Sequence, residues 1–220
     1  MIPANTRSFD NEAAWAFAGF GNRVVHFRKK QLIFAQGDSA SALFHILHGQ
    51  IKLTVLSAEG KEATLTLLGG GDFIGESCME PEGSLHTVSA QAITDCSVVR
   101  MERNVVFEML RNQPEFSRLL IAYLVARNHQ AQDDLVNHLF NSAEKRLARI
   151  LLSLARFGKN TNSELILPRI SQETLAEMVG TSRSRVNIFM NRFRRRGLVQ
   201  YDSELELKVH SSRLHEMLHD

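Results

Sequence analysis

From Glu115 to Leu139 the chain contains neither proline nor glycine. Pro114 stands just ahead, at a position where a helix has a spare N–H and loses nothing to proline's missing one. The run predicts one unbroken helix of 25 residues, about 37 Å long at ~1.5 Å per residue. That is long for a chain of 220 residues. Such a helix overruns a small domain, so it either packs on its own sheet or forms a seam with a second copy. Leu120, Leu124, Ala131 and Leu135 keep one face partly apolar, with Asn128 inside it, and are read as that seam.

The helix separates two stretches of different pattern. Before it, short β-branched and apolar runs alternate with Gly/Asp turns: Val24–Phe27, Gln31–Phe34, Leu43–Leu47, Ile51–Leu56, Glu62–Leu67, His86–Ala92 and Cys96–Met101. Many short strands at that spacing predict a β sandwich or jelly roll. Residues 10–20 are read as a short helix beside it, and Asn104–Arg111 as a short amphipathic turn.

After the long helix, Asn141-Ser142-Ala143-Glu144 resembles a capping box. Leu147, Ile150, Leu151 and Leu154 then form one apolar helical stripe. Phe157-Gly158-Lys159-Asn160 ends that helix, and Leu165–Pro168 is a short strand or extended link. The predicted organisation is α+β: a sensing domain over 1–113, a long helix over 114–140 and a third module over 141–220.

The net charge of +2 conceals an asymmetry. Residues 1–140 hold 12 basic and 15 acidic side chains, a net −3, while residues 141–220 hold 14 and 9, a net +5. Six arginines fall between Arg183 and Arg196, and no acid lies between Glu177 and Asp202. An acidic front joined to a basic rear points to two tasks on one chain. Two cysteines cannot build a disulfide framework. No apolar run reaches the ~18 residues of a membrane span, and the first twenty residues do not read as a signal peptide. The expectation is a soluble, cytoplasmic protein with no membrane partner.

Residues 170–199 carry the clearest functional pattern. Ser171 is a good helix cap, and Leu175, Met178 and Val179 make a short amphipathic helix. Gly180 allows a sharp turn. Ser182 caps a second helix with Val186, Phe189, Met190 and Phe193 on its apolar face, and Gly197 ends it. This is the helix-turn-helix pattern. The second helix offers Arg183, Ser184, Asn187 and Ile188 as base readers: Arg suits guanine, Asn suits adenine and Ile a thymine methyl. Ser182, Arg185, Asn191, Arg192, Arg194, Arg195 and Arg196 are read as phosphate contacts, which supply affinity without sequence information. The alternative is a solvated basic helix with no partner. Leu198–Tyr201 and Leu205–His210 read as a β-hairpin wing.

With both halves in view, the chain resembles the CRP/FNR family of bacterial transcription regulators from about Val24 onward. The front resembles its cyclic-nucleotide-binding jelly roll, or double-stranded β-helix, through Gln36-Gly37-Asp38, Gly49, Glu59-Gly60-Lys61-Glu62 and Gly71-Asp72-Phe73-Ile74-Gly75-Glu76. The rear resembles its winged helix-turn-helix through Leu175-Ala176-Glu177-Met178-Val179-Gly180-Thr181-Ser182-Arg183. The long helix corresponds to the family's dimerisation helix. The resemblance implies a homodimer on a near-palindromic duplex DNA site, RNA polymerase as a further partner, and an effector pocket at Gly75, Glu76, Ser77, His86, Thr87, Asn128 and Ala131.

In cAMP-binding relatives the Glu bonds ribose, a later Arg pairs with the cyclic phosphate, and Ser or Thr follows. Glu76 and Thr87 fit, but His86 stands at the Arg position. Histidine lacks arginine's permanent charge and planar fork. Ala131-Gln132 stands where cAMP-responsive relatives carry Thr-Ser, which removes a hydroxyl contact. Neutral His86 can still donate one bond, so cAMP stays open as the effector, weakened twice, with another effector or none as the alternative. An iron–sulfur sensor needs about four thiolates, so no such cluster is expected from Cys78 and Cys96. These two read as small buried residues, with a redox pair as the alternative.

No metal motif, P-loop or Gly-x-Ser-x-Gly is present in the sequence, so an enzyme is not expected. Two further readings remain: an effector-independent regulator with a degenerate pocket, and a ligand-binding module that does not bind DNA.

Overall fold

The computed structural model describes residues 23–154, 159–161, 164–167, 170–201 and 207–219. The helix expected at 10–20, the Phe157-Gly158 turn, Pro168 and the hairpin tip at 202–205 lie outside the described residues. The chain forms two compact units, Met1–Gln130 and Ala131–Asp220.

The first unit is a jelly roll of eight strands: β1 (Arg23–Phe27), β2 (Leu32–Phe34), β3 (Ala42–His48), β4 (Gln50–Leu56), β5 (Glu62–Gly69), β6 (Phe73–Ile74), β7 (Ser89–Ala92) and β8 (Cys96–Glu102). They pair antiparallel in two sheets, ordered β1-β8-β3-β6 and β2-β7-β4-β5. The strand expected over His86–Ala92 is shorter, because the chain bends at Thr87 and Val88 before β7.

Alternation along β3 explains the layering. Ala42, Phe44 and Ile46 enter a core shared with Ile51, Leu53 and Leu68 of the opposite sheet. Leu43 points the other way, into a second core with Phe73, Val99 and Met101. A strand covered on both faces becomes a near-continuous apolar run, and β3 is buried from Ala42 to Ile46.

The covering layer is helical. Helix α1 (Arg103–Asn112) supplies Val106 and Met109, and helix α2 (Pro114–Phe140) supplies Phe116 and Leu120. Fully burying each such side chain contributes about 1.5–3 kcal/mol. Pro114 is indeed the first helical residue. The seam read from sequence needs correcting, however. Leu120 is buried in the unit's own second core and Leu124 packs against that core. Of the four positions, Ala131 and Leu135 are exposed. Ile121, Val125, Val136, Leu139 and Phe140 are the further exposed apolar side chains, with Phe140 at 81%. Spacing alone could not tell the inward stripe from the outward one, since both recur at helical intervals.

The second unit contains α3 (Ala143–Leu154), β9 (Lys159–Thr161), β10 (Glu164–Leu167), α4 (Gln172–Val179), α5 (Arg183–Arg195), β11 (Val199–Tyr201), β12 (Leu207–His210) and α6 (Ser211–His219). Its sheet runs β11-β12-β10-β9. The expected wing is present, with Val199 opposite Val209, and Leu165 pairs with Val209 from the other side. Leu147, Leu151 and Leu154 of α3 are buried, while Ile150 is half-buried. Strand β9 and helix α6 were not legible beforehand. Leu214 anchors α6 in the core, but nine residues are too few for a firm periodic signal.

The capping box at the start of α3 is displaced by one residue. Lys145 N–H donates to Ser142 Oγ at 3.3 Å, so Ser142 is the cap and the third helical position is a lysine. Glu144 is thereby free of a capping role. Among the described residues, no helix is long and apolar enough to cross a membrane.

Candidate nucleic-acid interface and effector pocket

Two caps define the helix-turn-helix pair. Ser171 Oγ accepts from Thr174 N–H at 3.0 Å and starts α4. Gly180 ends it at φ +68°, a left-handed conformation that costs glycine nothing. Thr181 N–H then donates to Ala176 C=O at 3.0 Å and Gly180 N–H to Glu177 C=O at 3.2 Å. This pairing closes a helix end in two bonds and turns the chain sharply. Ser182 Oγ accepts from Arg185 N–H at 3.4 Å and starts α5.

Helix α5 is held by Val186, Met190 and Phe193, all buried, with Phe189 half-buried. Its other faces are open. Arg183, Ser184, Asn187 and Ile188 are all exposed. So are Ser182, Arg185, Arg192, Arg194, Arg195 and Arg196, and Asn191 is half-buried. Ser184 Oγ lies 3.0 Å from Ser182 Oγ, and the Asn191 amide donates to Asn187 Oδ1 at 3.3 Å. The polar face is thus partly ordered before any ligand arrives.

Acids reach this helix from elsewhere in the unit. Glu144 of α3 holds Arg192 at 2.5 Å. Glu173 of α4 lies 4.0 Å from Arg183 Nε, with both side chains mostly exposed, so that pair contributes little. Neither was visible in an acid-free window counted along the sequence, because folding brings them in from other helices.

In the first unit the residues expected to form an effector pocket meet only in part. Gly75 sits at φ +85°, and a Cβ there would lie 2.7 Å from Ala42 O and 3.5 Å from His86 Cε1. Glu76 opens a short 3-10 turn. Its carboxylate pairs with Arg127 at 3.3 Å. Arg127 also donates to the Phe73 carbonyl at 3.2 Å and to Tyr123 Oη at 2.9 Å. Tyr123 donates in turn to that carbonyl at 2.9 Å. Burial opposes the Arg127 charge, yet Tyr123 and Glu76 beside it hold its pKa above the ordinary arginine value. Burial pushes the Tyr123 phenol up as well. Tyr123 and Arg127 were missed in the sequence. Their spacing of four on a long helix was the available signal.

His86 is buried, with its ring stacked on Phe34 at 3.8 Å between centroids. Ser77 is half-buried, while Thr87, Asn128 and Ala131 are exposed. Burial pushes the His86 imidazole below its ordinary 6.5, against the Asp38 carboxylate, which acts in the opposite sense. The linkage has a definite sign. A histidine whose pKa is lowered by folding binds more protons when unfolded. Stability of this unit is therefore expected to fall as pH drops below about 6.5. Urea unfolding between pH 5 and 8 checks this, and His86→Gln should flatten the profile. An unchanged slope in that variant would assign the dependence to another group.

Cys78 and Cys96 are buried and free, in different cores. Burial pushes the Cys78 thiol up to about 11, and Cys96 also upward. Thiols held protonated are poor redox nucleophiles. Among the described residues no cluster of His, Cys, Asp and Glu is able to hold a metal.

A jelly roll followed by a capped, arginine-flanked helix-turn-helix and wing defines a ligand-sensing module joined to a DNA reader. Residues 24–113 match the cyclic nucleotide-binding domain family, and residues 145–211 match the Crp-like helix-turn-helix domain family. The chain is 31% identical over 192 residues to the CRP-like cAMP-activated global transcriptional regulator of Mycobacterium tuberculosis, covering 86% of this chain and 85% of that protein. It is 32% identical over 168 residues to the cyclic AMP receptor protein of Thermus thermophilus, covering 76% and 75%. Its fold is similar to that of FixK2 from Bradyrhizobium japonicum, with a TM-score of 0.77, 20% identity, and coverage of 89% and 96%. The chain belongs to the CRP/FNR family of DNA-binding transcription regulators.

Proposed function

We propose that this regulator works as a homodimer that sets two copies of α5 into successive major grooves of a near-palindromic site. Arg183, Ser184, Asn187 and Ile188 read bases, and Arg185, Arg194, Arg195 and Arg196 grip phosphates. The observation that carries this reading is the capped start of α5, where all four readers are exposed together. A two-fold dimer spaces its readers about one DNA turn, ~34 Å, apart. The exposed side chains of α2, Ile121 and Val125 first, are the proposed dimer seam. RNA polymerase is the proposed further partner.

The proposed effector site is the region of Gly75, Glu76 and His86. Relatives named as a cAMP-activated regulator and as a cyclic AMP receptor protein favour a cyclic nucleotide there. A second reading, effector-independent DNA binding, is favoured by a specific observation. The His86 ring is stacked on Phe34 and Glu76 is paired with Arg127, so both side chains have protein neighbours without a ligand. An effector acts only through unequal affinity for two states, and a neutral stacked histidine offers a phosphate little.

Selection of DNA sites from a random pool, with and without cAMP and cGMP, tests both readings. The expected result is enrichment of a two-fold symmetric site, with affinity falling steeply as salt rises. No binding at low salt under any condition would overturn the DNA reading. Enrichment only with cAMP would remove the effector-independent one. His86→Arg is expected to strengthen cyclic-nucleotide binding at least tenfold by calorimetry, on the order of the ~1.5–3 kcal/mol of a charged hydrogen bond. No gain would mean that the pocket has diverged or is blocked.

A further inference from the structure

Glu144 stands in the first turn of α3, where the helix dipole favours a carboxylate. Ser142 caps α3, so the carboxylate is not spent on a capping bond. Instead it reaches Arg192, 48 residues further on, with an oxygen 2.5 Å from Nη1. The Glu144 side chain is only 22% exposed and Arg192 is 48% exposed. This is a charge-assisted bond between a guanidinium and an anionic oxygen, the same chemistry by which arginine takes a phosphate. The surroundings are cationic. An open depression of about 250 Å³ is lined by Ser142, Glu144, Lys145, Arg192, Arg196 and Met217. Three cations and one carboxylate thus line it, and Arg192 is the one bonded to Glu144.

We propose that Glu144 is an internal stand-in for a DNA phosphate. It occupies Arg192 and withdraws it from the set of arginines that grip the backbone, which sets the affinity of this regulator for DNA of any sequence. Phosphate contacts carry affinity without sequence information. Releasing Arg192 therefore tightens operator and random DNA alike and leaves discrimination between bases unaltered. The inference rests on the proposed DNA reading of α5, and binding by the unaltered protein is the control that separates failure of one from failure of the other.

The test is a fluorescence titration of a selected site and of random duplex across salt concentrations. It compares the unaltered chain with Glu144→Gln, Arg192→Gln and the double variant. Glu144→Gln is expected to bind both DNAs about threefold to tenfold more tightly at low salt, with the salt slope steeper by about 0.9, the signature of one added phosphate contact. The gain should vanish in the Arg192→Gln background. A general effect of removing a negative charge would instead persist there, which overturns the proposal, as does an unchanged or weaker Glu144→Gln. Glu144→Ser repeats the comparison below its melting onset if Gln disturbs the fold, with the same two criteria.

Discussion

A Phe73→Ala chain is expected to lose about 3–5 kcal/mol of stability in its first unit, the range for deleting a buried aromatic side chain. Phe73 is 1% exposed. Its ring lies 4.6 Å from the His45 ring and edge-on to Tyr123 at 5.2 Å. Leu43, Met101 and Leu120 line the same core and cannot collapse into the gap without moving a strand or α2. The loss is a large share of a domain's usual ~5–15 kcal/mol. It has a second consequence, because the Phe73 carbonyl also takes the bonds of Tyr123 and Arg127 that seat Glu76. Loosening that ring should blur the effector region before the unit unfolds. Urea unfolding followed by far-UV circular dichroism reads the effect as a lower midpoint at constant slope. Leu65→Ala, at a side chain 53% exposed, is the control and should stay within about 0.5 kcal/mol. A Phe73→Ala loss below about 1 kcal/mol would show that the core relaxes around the gap.

What was legible in the sequence follows from which signals are local. The long helix was, since Pro114 and the absence of breakers act residue by residue. The strands β1 to β5 were, because alternation and turn glycines are local as well. The caps Ser171, Ser182 and Gly180 were found for the same reason. What escaped depends on approach in space. Leu120 was placed on a seam because a helical stripe does not say which partner covers it. Glu144 was placed in a capping box because the pattern fits two registers, and only the fold shows Ser142 taking the Lys145 N–H. The stacking of the His86 ring on Phe34, a residue 52 positions earlier, was also beyond a local signal. The Tyr123–Arg127–Glu76 network was likewise invisible, because each member is ordinary in its own sequence context.

Arg183→Ala is expected to relax sequence preference at one base pair in each half-site, at a cost of about 1–3 kcal/mol per half-site. Arg183 is the first residue of α5 and its side chain is 70% exposed. Alanine is a good helix former and the Ser182 cap bonds the Arg185 backbone rather than Arg183, so the fold should stand and the whole loss should appear in binding. Competition between the selected site and single-base variants is the measurement. A base contact predicts that the substituted protein no longer distinguishes the pairs at one position while still distinguishing the rest. A phosphate contact predicts equal weakening on every sequence and a salt slope shallower by about 0.9. Arg195→Ala serves as the reference for that second pattern, since Arg195 is exposed in the last turn of α5. That turn lies about 18 Å from Arg183 at ~1.5 Å per residue, too far to share its base pair. If Arg183→Ala behaves as Arg195→Ala does, base reading shifts to Asn187 and Ile188, one turn further along α5, and the proposed depth of the helix in the groove must be revised.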